Sequence, residues 1–404
     1  MTTKNPKSAL GIIALIVFID IAGLGLILPV MPSLIMGIAK VPVDRAAEIG
    51  GLLLFAYAVM QFLFAPIIGG LSDRFGRRPV LLVTLTALGA DYLLMAWSPT
   101  LLWLFIGRII SGVMGATWAA ANSCIADSVD TDDRGRVFGL MGGAGAAGYV
   151  LGPAIGGVLG QYGDRIPFIC AAILVLVTAA AGYFILGETL PESKRRAFSF
   201  ARANPLGSVL QMAKTPLVIG CLMTLFFMQL SAQAQFSIWG YYGTLKFGWD
   251  TRTIGLTISL FGILLVVAQA LLVGKSIQRF GAVRTAMWSL IFGIPSYFIL
   301  AYAGSTSAMI VGIFVGSVTG LTFPAMQSMM SAKIAEDAQG ELQGAIASVV
   351  SLTSIIGPPL MTNIFGAFSD QRGLYFPGAP FILAAGLLTI AAFLLAQTLR
   401  HFAQ

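Results

Sequence analysis

Long apolar runs recur along the chain, and the short segments between them hold most of its charged residues. A helix needs roughly 20 apolar residues to cross a bilayer, and most of these runs have that length. Their spacing predicts twelve membrane-spanning helices with short connections, and it leaves no stretch for a separate soluble domain. The predicted spans are residues 9–31, 49–70, 79–98, 100–122, 137–161, 167–187, 215–243, 253–273, 285–303, 306–330, 342–366 and 378–398.

The longest polar connection, residues 188–214, divides the chain into two halves of six predicted spans, residues 1–187 and 215–404. The halves match at a constant offset of 205 residues, because GGLSDRFGRR at 69–78 falls on GKSIQRFGAV at 274–283. The same offset places other glycines and a Gly-Pro step on one another without a gap. We therefore predict an all-α membrane protein of two pseudo-symmetric six-helix bundles joined by a linker. Parallel repeats of this kind are typical of secondary transporters.

Composition supports the membrane assignment. Apolar residues make up 57% of the chain and charged residues 10%, and the mean hydropathy is +0.88. A globular domain carries about a quarter charged residues, so an ordinary soluble protein is excluded. The net charge of +7 does not indicate nucleic-acid binding, because Lys and Arg concentrate in alternate loops. That alternation marks the cytoplasmic side and predicts cytoplasmic termini in a bacterial-type inner membrane.

Three ionisable residues lie well inside apolar runs: Asp20, Asp91 and Arg108. A charge at the bilayer centre costs at least about 2.5–3.5 kcal/mol, so such residues normally face a polar cavity or a partner. A carboxylate in a low-dielectric cavity beside an arginine can exchange a proton with either side of the membrane. We therefore predict that these residues couple transport to protons. The alternatives are a structural ion pair between Asp20 and Arg108, and a merely solvated Asp91 near the end of its span.

The sequence offers little for other chemistry. The one string that resembles a nucleotide-binding loop, Gly274-Lys275-Ser276, has Gln269 where the first glycine belongs and follows a membrane span. The sole histidine, His401, lies in the C-terminal tail, so a histidine relay is not expected. We expect no enzymatic activity, no protein-bound metal and no cofactor. The proton gradient would supply the energy, and a divalent metal could enter only with the substrate.

The segment GGLSDRFGRR closely resembles the cytoplasmic loop signature of the major facilitator superfamily. The resemblance implies a conformational gate in which Asp73 and Arg77 lock one state and Asp127 is a partner of Arg77. The second-half copy has Gln278 and Ala282 in place of Asp73 and Arg77, which implies that it lacks the lock. The gate residues taken from the resemblance are Gly69, Asp73, Arg74, Gly76, Arg77 and Asp127.

The segment GYVLGPAIGG at 148–157 resembles the antiporter signature of the drug–proton exchangers within that superfamily. Arg108 matches the basic residue of the fourth-span signature in the same exchangers. This resemblance favours antiport over symport, whereas the glycines alone would fit a close helix contact equally well. The motif residues are Gly148, Gly152, Pro153, Gly156 and Gly157.

Across nearly its whole length the chain is similar to the tetracycline efflux proteins, for example in FIDIAGLGLILPVMPSL and GADYLLMAW. By resemblance, Asp20 and Asp91 fall on intramembrane carboxylates of that group. Two departures concern the second half: Gly293 stands in place of an aspartate, and Leu265 in place of a histidine. Both weaken the inference to a metal–tetracycline chelate and favour a related or broader substrate.

Amides and aromatic side chains in the apolar spans are the candidates for a substrate cavity, which suits amphipathic, partly cationic compounds. The candidates are Asn122, Gln233, Gln235, Phe236, Trp239, Gln269, Gln327 and Asn363. The first hypothesis is a proton-coupled exporter of drug-like compounds that works as a monomer by alternating access. The alternative is a proton symporter or a narrow-specificity metabolite transporter of the same fold. A membrane enzyme or receptor would need a ligand cluster or soluble domain that the sequence does not show.

Overall fold

The structure is a computed structural model of the chain. All described secondary structure is helical, as expected where a bilayer leaves no water to satisfy backbone groups. Structural statements below refer only to the described residues. These are 6–115, 121, 124–125, 133–195, 212, 215–335, 338–371 and 373–403.

The first half of the chain contains seven described α-helices. They are α1 (Pro6–Ile27), α2 (Met31–Ala39), α3 (Val43–Phe75), α4 (Arg77–Ala96), α5 (Leu101–Met114), α6 (Arg134–Gly160) and α7 (Ile166–Ile185). A 3₁₀ turn, Leu28–Val30, joins α1 to α2 at the prolines of the first predicted span, and Glu192–Lys194 forms a second one. A proline lacks the N–H that a continuous helix requires, so a tightened turn at this point is expected.

The second half contains seven more α-helices and two segments of different helical geometry. The α-helices are α8 (Pro216–Phe247), α9 (Thr251–Ala268), α10 (Gly274–Tyr302), α11 (Thr306–Gly316), α12 (Thr322–Ser331), α13 (Gln339–Ser369) and α14 (Ala379–Ala403). A π-helical turn, Gln269–Val273, joins α9 to α10, and a 3₁₀ turn, Ser317–Leu321, joins α11 to α12.

The described helices account for the predicted spans. Ten are long and apolar enough to cross a membrane, and α5 is a shorter apolar helix next to residues outside the description. One of the ten, Thr251–Tyr302, holds two spans, because Gly281 interrupts it with a φ of 78°. The all-helical membrane fold predicted from the sequence is confirmed.

The residues divide into two compact units. Unit 1 comprises residues 1–41, 56–204 and 250–259, and unit 2 comprises residues 42–55, 205–249 and 260–404. Each unit therefore includes a short segment from the other half of the sequence. Most of the predicted linker, residues 188–214, lies outside the described part of the chain, so the predicted domain boundary stays a prediction.

Helix α6 packs closely on α1 inside unit 1. A Cβ added at Gly152 would lie 2.7 Å from the carbonyl oxygen of Ala22, and one added at Gly156 would overlap the carbonyl oxygen of Leu26. At Gly25 of α1 a Cβ would come within 2.7 Å of Cδ of Pro153. Helices in a bilayer associate through such contacts between small residues, because lipid removes the hydrophobic drive between them.

Replacing Gly156 by alanine should therefore destabilise unit 1. The new methyl group would strike backbone that cannot rotate away, and overpacking of this kind costs about 1–3 kcal/mol. Thermal unfolding of the purified protein in detergent measures the loss. Gly142→Ala is the matched control in the same helix, because no described atom lies within 4 Å of its added Cβ. Equal losses in the two variants would contradict the close packing of α6 on α1.

Candidate functional site

Asp91 of α4 is buried and hydrogen-bonded to the neighbouring helix. Its side chain is 2% exposed, and the hydroxyl of Ser111 on α5 donates to its Oδ2. Gly107, one turn before Ser111, makes room for the carboxylate, because a Cβ there would lie 2.9 Å from Oδ1 of Asp91. The predicted site residue is thus held inside unit 1 by a hydroxyl donor that the sequence analysis did not identify.

Arg108 lies on the same helix and is 3% exposed. Its Nη2 donates to the sulfur of Met95 over 3.0 Å, and the positive charge of Arg108 acts on the Asp91 carboxylate. A thioether is a weak acceptor compared with a carboxylate. The guanidinium is therefore placed to influence a carboxylate while its described hydrogen bond is a weak one.

Two tyrosines lie within electrostatic range of the predicted charges. Tyr57 of α3 and Tyr92 of α4 both lie in the electrostatic field of Asp20 and of Arg108. The Tyr92 hydroxyl lies over α1, 2.8 Å from the position of a Cβ at Gly23. Asp20, Asp91 and Arg108 all lie within unit 1, and the two tyrosine hydroxyls lie within electrostatic range of Asp20 and Arg108. The role of the three charges in proton coupling stays a prediction. In the sequence, the position of Tyr92 directly after Asp91 was the feature that could have indicated this tyrosine.

The gate residues lie where α3 ends and α4 begins. Arg77 forms an ion pair with Asp73 over 2.5 Å and also approaches the hydroxyl of Ser72. Between the helices Gly76 adopts a φ of 105°, a conformation that favours glycine. Arg74 lies over the ring of Phe75 at 5.1 Å. The pairing of Asp73 with Arg77 fits the predicted lock, but its role in gating stays a prediction.

The structure says less about the other predicted gate residues and about the antiporter motif. At Gly69 an added Cβ would meet no described atom within 4 Å, so a close helix contact there is not seen among the described residues. Asp127, the predicted partner of Arg77, lies outside the described residues. A Cβ added at Gly148 of the antiporter motif would lie 2.5 Å from the carbonyl oxygen of Phe18, and one added at Gly157 would lie 2.5 Å from that of Thr251. The motif therefore forms a close helix contact, which fits both interpretations given above.

Glu188, which follows α7, was missed by the sequence analysis. Its Oε1 accepts the backbone N–H of Arg77 over 2.9 Å and that of Leu190 over 3.0 Å. Arg78 reinforces the same connection, because its Nη2 donates to the carbonyl of Tyr183 over 2.7 Å. The first N–H groups of a helix have no partner within the helix, so Glu188 satisfies one of them at the start of α4. These hydrogen bonds connect the C-terminal end of α7 with the start of α4, next to the predicted gate residues.

Several cavity candidates lie in unit 2. Gln233 of α8 packs on Gly357 of α13, and its Nε2 donates to Ser354 Oγ over 3.4 Å. Phe236 is 38% exposed, whereas Trp239 is buried and its ring lies 5.7 Å from that of Trp249.

The remaining cavity candidates are mostly amides with described partners. Gln327 donates to Gln343 over 3.2 Å, and Asn363 donates to the carbonyl of Pro359 over 2.7 Å. Gln269 donates to the carbonyl of Gly320 over 3.4 Å. Gln235 is half-buried, and Asn122 lies outside the described residues. Their assignment to a substrate cavity stays a prediction.

The two departures in the second half are both packed into unit 2. A Cβ at Gly293 would overlap Cγ2 of Thr319 and lie 3.0 Å from Cδ2 of Leu388. Leu265 covers Gly320, where an added Cβ would lie 2.5 Å from its Cδ1. Among the described residues no group of three or more His, Cys, Asp or Glu side chains could hold a metal.

The cap on α4 leads to a prediction about Glu188. Replacing it by alanine leaves the Arg77 N–H without its acceptor, and losses of helix caps cost about 0.5–2 kcal/mol. Glu188→Gln keeps an acceptor oxygen and should retain most of the stability. Thermal unfolding of both variants provides the measurement. Glu192→Ala is the control, because its pair with Arg195 spans 3.7 Å and its side chain is 89% exposed. An unfolding temperature for Glu188→Ala equal to that of the control would refute the cap.

Comparisons with known proteins place the chain. The family model described as Major Facilitator Superfamily matches residues 13–245 and 225–402. The tetracycline resistance protein of class C from Escherichia coli is 39% identical over 386 residues, which cover 95% of both chains. Multidrug resistance protein 2 of Bacillus subtilis is 27% identical over 376 residues, 92% of this chain and 91% of the relative.

Solved structures agree on the fold. The human organic anion transporter MFSD10 superposes with a TM-score of 0.71 at 21% identity, covering 97% of this chain and 99% of that one. The nucleoside transporter NupG gives 0.76 at 14% identity, covering 97% and 99%. At these identities the likeness concerns the fold alone. Together with the helices described above, the sequence matches show that this chain is a multi-pass membrane protein that belongs to the major facilitator superfamily, among the relatives of the tetracycline resistance proteins.

Proposed function

We propose that the chain is a proton-coupled antiporter that exports drug-like compounds by alternating access. The observation that carries the proposal is the buried pair of charges Asp91 and Arg108 in unit 1, with the half-buried Asp20 and two tyrosine hydroxyls within electrostatic range. Charged side chains within membrane spans are expensive, and they normally mark ion pathways or substrate sites. The names of the relatives support the direction of transport, because they are tetracycline resistance and multidrug resistance proteins.

The chemistry of exchange follows from competition for a carboxylate. Asp20, which shares its electrostatic surroundings with Arg108 and the two tyrosines, can hold a proton in one state and release it in another, as these surroundings change. A cationic substrate that favours the ionised carboxylate competes with that proton. Binding of one partner then promotes release of the other, and the proton gradient supplies the work at about 2.3 kcal/mol per charge and 100 mV. The Ser111 hydroxyl holds Asp91 in a fixed orientation beside the same arginine.

The setting of the protein is part of the proposal. The basic loops favour cytoplasmic termini and a bacterial-type inner membrane. Its partners would be the lipid bilayer, protons and a small amphipathic substrate, and it would act as a monomer without a cofactor or enzymatic reaction. A divalent metal would be transported only as part of the substrate.

The packing around Gly293 supports a substrate that differs from a metal–tetracycline chelate. Thr319 and Leu388 fill the space that an acidic side chain at this position would need. Unit 2 instead presents amides such as Gln233 and Gln327 within apolar helices, which suits amphipathic compounds recognised by a few hydrogen bonds.

Replacing Asp20 by asparagine should abolish proton-driven uptake of the substrate into everted membrane vesicles, because an amide cannot bind and release the coupled proton. The substrate is first found by expressing the protein in an efflux-deficient host and testing tetracyclines, dyes and other antibiotics. Asp250→Asn is the control, because this carboxylate lies in the connection between α8 and α9, outside the spans. Hydrogen bonds from Thr253 lower its pKa, so it stays ionised and is not expected to carry the coupled proton.

Two outcomes would count against this proposal. Unchanged proton-driven uptake by Asp20→Asn would remove Asp20 from the coupling mechanism. Resistance to none of the compounds, together with accumulation of a nutrient solute inside intact cells, would favour the symporter or metabolite transporter instead.

Substrate choice can be tested at Gly293. Gly293→Asp alone should unfold at a lower temperature, because its Cβ would overlap Cγ2 of Thr319. Adding Thr319→Ala removes that atom and leaves Cδ2 of Leu388, a flexible side-chain end, as the nearest contact at 3.0 Å, so the double variant should recover part of the stability. We expect the double variant to gain magnesium-dependent tetracycline uptake relative to Thr319→Ala, the matched control. Recovered stability without any change in tetracycline uptake would show that this position does not set specificity.

A further inference from the structure

The tenth span changes from α-helical to 3₁₀ geometry at a point where one backbone carbonyl lacks its ordinary α-helical donor. Helix α11 ends at Gly316, the 3₁₀ turn Ser317–Leu321 follows, and α12 begins at Thr322. In a continuous α-helix the carbonyl of Gly320 would accept the N–H four residues later, at position 324. That residue is Pro324, which has no N–H. Inside a membrane such a carbonyl must find another donor, because lipid offers none.

Gln269 supplies a donor from the eighth span. Its Nε2 lies 3.4 Å from the oxygen of Gly320. Leu265, one turn earlier on α9, covers the same glycine, so a side chain on Gly320 would have no space. Gln269 also opens the π-helical turn Gln269–Val273, and turns of this kind occur frequently at functional sites. This hydrogen bond therefore connects the π-helical turn of the eighth span with the 3₁₀ turn of the tenth span.

The same contact recurs in unit 1. Gln61 of α3 donates to the carbonyl of Gly115 over 3.0 Å and contacts the hydroxyl of Tyr57 over 3.1 Å. Gly115 directly follows the last residue of α5, and it is the repeat partner of Gly320, since 115 plus 205 is 320. The two glutamines themselves are not repeat partners, because the offset places Gln61 on Val266. In each unit a glutamine therefore donates to the repeat-related glycine carbonyl, but the two glutamines occupy different positions along their helices.

We propose that Gln61 and Gln269 are positioning residues that hold the C-terminal end of α5 and the 3₁₀ turn of the tenth span through the carbonyls of Gly115 and Gly320. This inference rests on the proposed transport function for its kinetic consequence, but the hydrogen bonds can be tested separately. Gln61 additionally links the C-terminal end of α5 to Tyr57, on which the charges of Asp20 and Arg108 act. For Gln269 this is a structural role that differs from substrate contact.

The test uses Pro324 as a built-in rescue. Gln269→Leu removes the donor and should lower both the unfolding temperature and the maximal transport rate, the latter about threefold, which is the value of one hydrogen bond. Pro324→Ala supplies a backbone N–H for Gly320, so the Gln269→Leu/Pro324→Ala variant should lose less than the two single losses added together. The KM should stay unchanged in all of these variants. Gln61→Leu is the matched control, because its acceptor is in unit 1 and Pro324→Ala should not rescue it.

A substrate contact would give a different result. A Gln269→Leu variant with raised KM, unchanged unfolding temperature and no rescue by Pro324→Ala would overturn the positioning role. If the wild-type protein transports nothing, the proposed function fails, whereas the unfolding temperatures of the four variants still decide the hydrogen bond.

A second measurement covers the case in which Pro324→Ala does not fold. Gln269→Glu has the same shape but cannot donate when ionised, so its stability deficit should shrink as pH falls and the protonated acid regains a donor. A deficit that does not change with pH would contradict the proposal.

Discussion

The bilayer requires every backbone N–H and C=O within it to find a partner inside the protein, and the described structure follows from this constraint. Helices satisfy it along most of the chain. Where a helix starts or bends, a side chain from a neighbouring segment takes over. Glu188 accepts the N–H of Arg77 beyond Gly76, and Gln269 donates to the carbonyl of Gly320 in the 3₁₀ turn of the tenth span. The irregular points of the fold are therefore also the points where separate spans are connected.

Charged side chains inside the bilayer also need partners within the protein, and an unpartnered charge costs more free energy than an unpartnered backbone group. Asp91 accepts from Ser111, Arg108 lies beside it, and Tyr57 and Tyr92 share their field with Asp20. Because lipid does not drive helices together, their close approach depends on small residues, as in the glycines of α6 against α1. The buried charges of Asp91 and Arg108 thus lie inside a unit whose helices α1 and α6 meet through glycine contacts. A change in these charges therefore acts on a tightly packed framework.

The two sequence repeats preserve backbone geometry more faithfully than chemistry. Gly76 and Gly281, which the offset of 205 relates, both adopt positive φ values, 105° and 78°. Their neighbours differ, because Gln278 and Ala282 replace the Asp73–Arg77 ion pair. The repeat partner of Arg108 is Ile313, which is buried. The duplicated architecture is therefore shared by both halves, while the intramembrane charges belong to the first.

The sequence by itself determined the spans and the unusual residues within them. Apolar length is a local property, so twelve helices could be counted, and a charge such as Asp91 stands out in an apolar run wherever the helix packs. The partners of these residues were not predictable in the same way. Ser111 lies 20 residues from Asp91, Gly115 lies 54 from Gln61, and Glu188 lies 111 from Arg77. A span that is apolar on every side carries no pattern that shows which face meets which neighbour. Only the tertiary structure, which sets the rotation and depth of each helix, decided those contacts.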